Sequence, residues 1–457
     1  MKKNARFYFA MFAAKLANTT QHMLKMNASY FPGKLALKLC PDFFGRVDHP
    51  KNIICVTGTN GKTTCCNMAL NILEANGYKV LNNRLGSNID AGVATSLVQG
   101  SSLFGKAKYE YALFEVDERS SKRIYSYITP DYLLCTNLFR DSIQRNAHTE
   151  FIFNFINSNV PAGTHMILNG DDVISGRLAP ENPRTYFSVL PMDTDIDECE
   201  SIVNDMRICP VCHANLEFSH VRYHHIGYAH CPSCGFKLPE AEYKASADKE
   251  NMTMTVTHNG EEKTYSLVND SIFNIYNEVA VIALMTEFGL TPEQIAKPIA
   301  DIDVVSTRHS HETYKGMKIV TNLAKSLNPV ACSCVFDYVR RDKTTKEVIL
   351  ILNAAHGTWE SSENVTWIFD TDFQFLGGDE IKRIIIGGRR AEDEKLRLLI
   401  AGVPEEKITC IYDEKETTKL LKLDCESVYI LHDLNFGALG AQLKENVKKM
   451  LDEKVGD

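Results

Sequence analysis

Ile53-Ile54-Cys55-Val56-Thr57-Gly58-Thr59-Asn60-Gly61-Lys62-Thr63-Thr64, followed by Asn67-Met68-Ala69-Leu70, runs from a buried-type strand through two glycines into Lys-Thr and a helical pattern. This order is a physical recipe for holding phosphates. Glycines let backbone N–H groups approach the oxygens, and the helix N-terminus adds the positive end of its dipole. A lysine in this place reaches the β- and γ-phosphates, and the hydroxyl after it can ligate Mg²⁺. The usual loop has four residues between its glycines; here Thr59 and Asn60 alone separate Gly58 from Gly61, so the loop is a shortened variant. A glycine turn that happens to precede Lys-Thr explains neither the strand before it nor the helix after it.

Outward from the loop, Val80-Leu81, Tyr111–Phe114, Tyr132–Cys135 and His165–Leu168 read as strands alternating with helical stretches. That alternation over residues 50–190 predicts a mostly parallel sheet with helices on both faces. Thr253–Thr257 and Lys263–Leu267 flank His258-Asn259-Gly260, a hairpin signal, and a helix is expected from about Asn274 to Glu287. Val348–Leu352, Arg383–Ile386, Ile408–Ile411 and Ser427–Leu431 renew the alternation as a second α/β unit. The expected domains are an N-terminal helical segment over 1–45, a nucleotide-binding domain over 46–310 and an α/β C-terminal domain over 311–457.

Composition bounds the function classes. A chain of 457 residues with 44% hydrophobic and 24% charged residues is an ordinary globular chain. Its net charge of −8 argues against a general nucleic-acid binder, and no apolar run approaches the length of a membrane span. Lys2-Lys3 and then Phe7–Ala14 imitate a secretory leader, but Lys15 interrupts the run and a nucleotide site belongs in the cytosol. An amphipathic helix over about 5–25 is expected instead, packed on the body or resting on the inner face of a membrane as a peripheral contact.

Most of the 14 cysteines are scattered singly, as reduced core residues are. Four are not. Cys209-Pro-Val-Cys212 and Cys231-Pro-Ser-Cys234 are two knuckles 18 residues apart, the spacing of a four-cysteine zinc ribbon, inserted over about 205–240. Four protein ligands leave no open position, so the Zn²⁺ expected there is structural. His213, His220, His224, His225 and His230 then read as surface residues beside it.

Phe114-Glu115-Val116-Asp117-Glu118 closes a predicted strand, and an acid there lies near the ligand crevice of a doubly wound sheet. Glu115 is therefore the candidate Mg²⁺ carboxylate beside Thr63, while Asp117 and Glu118 read more readily as an exposed acidic turn. Asn274 and Asn277 project from one face of a helix start, either to read an adenine edge or as ordinary caps.

Taken together, these residues resemble the Mur ligase superfamily, ATP-dependent enzymes that form amide bonds on cell-wall precursors. The resemblance rests on the loop Gly58-Thr59-Asn60-Gly61-Lys62-Thr63-Thr64, the acid Glu115, Asn274-Ile-Tyr-Asn277-Glu-Val-Ala280, and Arg308 at the junction with the C-terminal domain. The four-cysteine insert, Thr136-Asn-Leu-Phe-Arg-Asp141 and Val365-Thr-Trp-Ile-Phe-Asp370 resemble the branch that amidates lipid II. The implied fold is an α/β Mur-ligase-like P-loop domain with a parallel sheet and the zinc ribbon, followed by a smaller α/β domain. The implied activity is ATP-dependent amidation of the α-carboxyl of D-isoglutamate in the lipid II stem peptide through an acyl phosphate. The ammonia would come from a GatD-like class I glutaminase subunit, in a heterodimer or higher assembly. Lys62 and Glu115 would be catalytic; Gly58 to Thr64, Asn274, Asn277 and Arg308 would bind ATP, and Thr63 and Glu115 the Mg²⁺.

The C-terminal motif departs from that branch. Where the branch has an aspartate thought to complete the glutaminase's Cys–His pair, this chain offers Asn364 or His356, neither a carboxylate. An asparagine can still orient a histidine. Two other functions fit the residues: a Mur-type ligase joining another amine or amino acid to a different carboxylate, and a nucleotide-binding scaffold subunit without ligase activity.

Overall fold

The computed structural model describes residues 1–26, 29–84, 87–141, 148–302, 309–352 and 365–456. The chain folds into two compact units. One comprises Met1–Phe139, His148–Glu198 and Met206–Asp303; the other comprises Arg140–Ala147, Cys199–Asp205 and Val304–Asp457.

The first unit is built on nine strands: β1 (Asn52–Thr57), β2 (Val80–Asn82), β3 (Tyr111–Glu115), β4 (Tyr132–Cys135), β5 (His165–Asn169), β6 (Arg184–Val189), β9 (Tyr243–Asp248), β10 (Thr253–His258) and β11 (Glu261–Ser266). Their order is β11-β10-β9-β6-β5-β4-β1-β3-β2. Every pairing from β2 to β9 is parallel; β9, β10 and β11 finish the sheet antiparallel. Asn259 and Gly260, both at positive φ, make the tight turn between β10 and β11. Ile53 to Val56 are buried because β1 lies mid-sheet with both faces covered, which is what an uninterrupted apolar run reports.

From β1 the chain crosses to the β2 edge, returns through β3 to β1's side, and then passes to β4 on the other side. Val56 pairs with Glu115, and Thr57 with Cys135, so the three strands end level with one another. This reversal of direction opens a crevice beyond the carboxyl end of β1.

Residues 1–45 pack into this same unit. Helix α1 (Ala5–Met23) buries Phe7, Ala10, Met11 and Ala14 in the core that contains Ile53 and Cys55. Helix α2 (Phe31–Leu39) crosses α4 (Asp90–Gln99) so closely that a Cβ on Gly33 would stand 2.0 Å from Ala91 O. Helix α3 (Lys62–Ala75) lies between them in sequence and leaves the crevice directly after β1. The insert forms the hairpin β7 (Glu217–Tyr223) and β8 (Ile226–His230).

The second unit has six strands, β12 (His309–Tyr314), β13 (Met317–Leu323), β14 (Lys346–Ile351), β15 (Ile381–Gly387), β16 (Ile408–Ile411) and β17 (Ser427–His432), in the order β12-β13-β17-β14-β15-β16. All its pairings are parallel except β12 with β13. Strands β14 and β17 are buried at every position, as central parallel strands must be.

Candidate nucleotide site and cysteine cluster

The loop after β1 is held from the β4 side. Asn137 Oδ1 accepts from Asn60 N at 3.0 Å and its Nδ2 donates to Asn60 O at 3.1 Å, while Thr136 Oγ1 donates to Asn60 O at 2.6 Å. Thr59 N donates to Asn137 O at 2.8 Å, and Thr59 Oγ1 exchanges hydrogen bonds with the backbone of Phe139. The loop is thereby fixed to the segment that follows β4. Gly58 has φ +122° and Gly61 φ +89°, a backbone only glycine takes readily. A Cβ on Gly61 would lie 2.1 Å from Asn277 Oδ1, and one on Gly58 2.3 Å from Thr136 Oγ1. The glycines are thus required by close approach as well as by φ.

Lys62 opens α3. Its Nζ donates to Gly58 O, to Thr59 O at 3.3 Å and to Glu118 Oε1 at 2.9 Å. Burial acts to lower the Lys62 pKa, but the facing Glu118, backed by Asp117 and Glu115, more than offsets it and holds the ammonium charged. Both Asp117 and Glu118 are buried, so the expectation of an exposed acidic turn is corrected: the three-residue helical turn Glu118–Ser120 folds the acids back under the loop. Next along α3, Thr63 Oγ1 donates to Glu115 Oε1 at 3.1 Å, as does Asn88 Nδ2 at the same distance. Asn83 clamps the Glu115 backbone on both sides, at 2.9 Å and 2.8 Å. A hydroxyl and a carboxylate oxygen in contact beside a phosphate loop form a donor set suited to a hard divalent cation such as Mg²⁺.

The helix Ile272–Glu287 brings Asn277 over the loop, with Cys65 Sγ 3.5 Å from its Oδ1. One turn earlier, Asn274 Nδ2 is buried with no hydrogen-bond partner among the described residues. A buried donor left open at this place fits an acceptor arriving with a ligand, such as a purine ring nitrogen. The structure therefore gathers Gly58 to Thr64, Glu115, Asn274 and Asn277 at one crevice. Arg308, His356 and Asn364 lie outside the described residues.

The sulfurs of Cys209, Cys212, Cys231 and Cys234 all lie within 4.8 Å of one another, with Cys209 to Cys234 at 3.6 Å and Cys212 to Cys231 at 3.5 Å. A tetrahedral ion with ~2.3 Å bonds to sulfur needs sulfurs about 3.8 Å apart, so the donor set and its size fit Zn²⁺. The two knuckles are built alike. Each puts the residue after its second cysteine in the left-handed region, His213 at φ +63° and Gly235 at φ +76°. Burial tends to raise the Cys209 thiol, but the N–H groups of Cys212 and Val211 win and bring it to about 7.

Residues 56–198 match the Mur ligase middle domain, and residues 323–436 match the MurT ligase C-terminal domain. The chain belongs to the Mur ligase superfamily. Its resemblance is to the MurT branch. It is 29% identical over 403 residues (87% of this chain and 89% of the relative) to the lipid II isoglutaminyl synthase (glutamine-hydrolyzing) subunit MurT of Staphylococcus aureus. It is likewise 29% identical to the subunit of that name from Streptococcus pneumoniae, over 88% of this chain and 89% of the relative. Solved structures of the same fold include a pseudomurein peptide ligase type C from Methanothermus fervidus, with TM-score 0.66, 19% identity and coverage of 89% and 81% of the two chains. MurF ligase from Thermotoga maritima in complex with ADP has TM-score 0.59, 14% identity and coverage of 93% and 85%. The α/β fold, the parallel sheets and the smaller sheet-containing C-terminal unit expected from the sequence are those of this Mur ligase.

Two further features of this Mur ligase escape sequence reasoning. The histidines beside the knuckles are not all surface residues: His224 and His225 are buried. His225 Nε2 meets Asp172 Oδ1 at 3.2 Å, and its ring lies 4.4 Å from that of Phe139, the residue bonded to Thr59. Burial would raise the Asp172 carboxyl, but His225, Ser175 and the Leu138 N–H hold it below the ordinary range. The hairpin thus braces the phosphate loop through Phe139. Glu118, the partner of Lys62, is the other feature. The sole sequence signal was its place three residues after Glu115 at a strand end, which does not distinguish it from a solvated turn.

Proposed function

We propose that this chain is the ligase subunit of a glutamine-dependent amidating enzyme of lipid II. In this reading ATP phosphorylates the α-carboxyl of D-isoglutamate in the stem peptide, and ammonia displaces phosphate from the acyl phosphate to leave the amide. What carries the reading is the opened glycine loop on the 14-residue helix α3, with Lys62 within it and Thr63 and Glu115 in contact beside it. The family match supports ligase chemistry over a passive scaffold.

Each residue then has a task. Backbone N–H groups of Gly61 to Thr64, at the start of α3, cradle the phosphates, while those of Thr59 and Asn60 hold the loop to Asn137. Lys62 leaves Glu118 for the γ-phosphoryl group and spreads its charge during transfer. Thr63 and Glu115 would hold Mg²⁺, which when bound neutralises phosphate charge and orients the transferred group. Asn274 and Asn277 face the base, and Arg308 is the remaining ATP ligand that the family resemblance implies. Cys209, Cys212, Cys231 and Cys234 hold a structural Zn²⁺.

Ammonia has to be delivered, since burial pushes up the core thiols, Cys55, Cys65 and Cys135 among them, and leaves them poor nucleophiles. A class I glutaminase of the GatD type is the proposed source, with Asn364 or His356 supporting its histidine across the interface. The work is placed in the cytoplasm, where ATP and the lipid-linked precursor meet.

The test is an amidation assay with lipid II, ATP, Mg²⁺, glutamine and a GatD-type glutaminase from the same organism, read by product mass. Conversion to D-isoglutamine, lost with Lys62→Ala, is the expected result. Recovery of unchanged D-isoglutamate with an active glutaminase present overturns the reading. A product heavier by an amino acid assigns the chain to the other Mur-type chemistry.

A further inference from the structure

Helix α1 is apolar on two opposite sides. Phe7, Ala10, Met11 and Ala14 are fully buried against the body. Phe9, Phe12, Leu16 and Met23 recur at helical spacing on the other side and are 63%, 59%, 57% and 80% exposed. The apolar surface continues in both directions. At the start of α1, Tyr8 lies 6.5 Å, ring to ring, from Phe104, whose loop also exposes Leu103. At its far end a groove of about 600 Å³ between α1 and α2 is lined by Leu16, Ala17, Met26, Phe31 and Leu35. Singly exposed apolar side chains are ordinary; a contiguous stripe of aromatics with a groove is not.

The charge around this surface is one-sided. Residues 1–41 carry seven lysines and arginines and no acid, in a chain whose net charge is −8. Lys2, Lys25, Lys34 and Lys38 are exposed on these elements, and Lys106 and Lys108 on the Phe104 loop. The first acids met along the chain are already paired: Asp42 with Arg46, and Asp48 with Lys3 at 2.8 Å. Aromatic side chains that insert, rimmed by lysines that reach to anionic headgroups, form the pattern of a helix lying in a bilayer interface. No helix among the described residues is long and apolar enough to cross a membrane.

We propose that the outward face of α1, with the α1–α2 groove and the Leu103–Phe104 loop, docks this chain on an anionic phospholipid surface. The opposite face of α1 stays in the core, so docking needs no unfolding. A second copy of the same face would bring like charge against like, which favours lipid over self-association. Docking through this face involves neither the nucleotide site nor the acceptor carboxylate.

The experiment is co-sedimentation of the full chain with sucrose-loaded vesicles of phosphatidylcholine alone or mixed equally with phosphatidylglycerol. Binding is expected to the anionic vesicles only, weakening as salt rises. Phe9→Ser/Phe12→Ser should lower the bound fraction about tenfold, and Lys34→Glu/Lys38→Glu should weaken it most at low salt. Both variants should keep the wild-type melting temperature and ATPase rate, since neither touches the core or the loop. Equal binding of the Phe9→Ser/Phe12→Ser variant, or no preference for anionic lipid, overturns the proposal. So does a wild-type chain that ignores vesicles but loses its glutaminase when Phe9 and Phe12 are replaced, because the face is then a protein interface.

Discussion

Lys62 Nζ lies 2.9 Å from Glu118 Oε1, an ion pair whose side chains are only 12% and 5% exposed. The lysine that the phosphates need is therefore already engaged, with its other hydrogen bonds turned back on Gly58 O and Thr59 O. Nucleotide entry exchanges one anionic partner for another. Removing the carboxylate without removing the ammonium leaves a buried charge without its contact partner, with Asp117 and Glu115 as more distant support, at a cost of about 3 kcal/mol. Glu118→Gln should accordingly melt well below the wild type without nucleotide. ATP should raise its melting temperature by more than it raises the wild type's, because phosphate replaces the missing charge. Calorimetry or dye-based melting with and without ATP checks both statements, and equal ATP-induced shifts would count against the exchange.

Asn274 presents the opposite case, a polar group that costs stability until ligand arrives. Its Nδ2 is buried without a partner among the described residues, a penalty of roughly 1–3 kcal/mol. Asn274→Leu should leave the nucleotide-free protein at least as stable as the wild type. The same variant should bind ATP roughly tenfold more weakly. Titration calorimetry paired with melting curves measures the two effects, and a variant that loses stability while keeping affinity would make Asn274 a structural residue.

Glu278, the neighbour of Asn277, is fully buried, and burial pushes its carboxyl up from 4.5 to about 8, against the Val268 N–H from which it accepts at 3.1 Å. Between those values the folded chain keeps a proton that the unfolded chain has lost. Stability is therefore greatest below about pH 4.5 with respect to this group, falls as pH rises and levels off above pH 8. The whole effect is on the order of a few kcal/mol. Glu278→Gln should melt progressively higher than the wild type as pH goes from 5 to about 8; a difference independent of pH would remove Glu278 from the account.

The cysteine cluster makes a prediction that reaches beyond the ribbon. Cys231→Ser breaks a four-sulfur site, so bound zinc measured by plasma mass spectrometry should fall from one per chain toward zero. The hairpin that carries His225 against Asp172 and Phe139 should loosen with it. A lower melting temperature and weaker ATP binding are expected together, and a chelator acting on the wild type should reproduce both. Zinc loss with unchanged ATP affinity would show that the brace on Phe139 is not needed.

What the chain determined by itself is local and periodic. The run Ile53–Val56, the two-residue gap between Gly58 and Gly61, and the start of α3 at Lys62 all follow from backbone sterics and burial within a dozen residues. The knuckles Cys209–Cys212 and Cys231–Cys234 follow from ligand spacing, and the Asn259-Gly260 hairpin from the need for positive φ. The alternation that predicts a parallel sheet is legible because strands buried on both faces must be apolar throughout. Tertiary structure alone decided which polar groups meet. Glu118 faces Lys62 because a short helical turn buries it, and Asn277 fits over Gly61 although more than two hundred residues separate them in sequence. His225 leaves the ribbon's surface for Asp172 and Phe139, which belong to the parallel sheet's loops. In each case the residue type is common and its neighbours in sequence are uninformative. The cost of burying a charge or a donor is met only by a partner that the fold supplies from elsewhere in the chain.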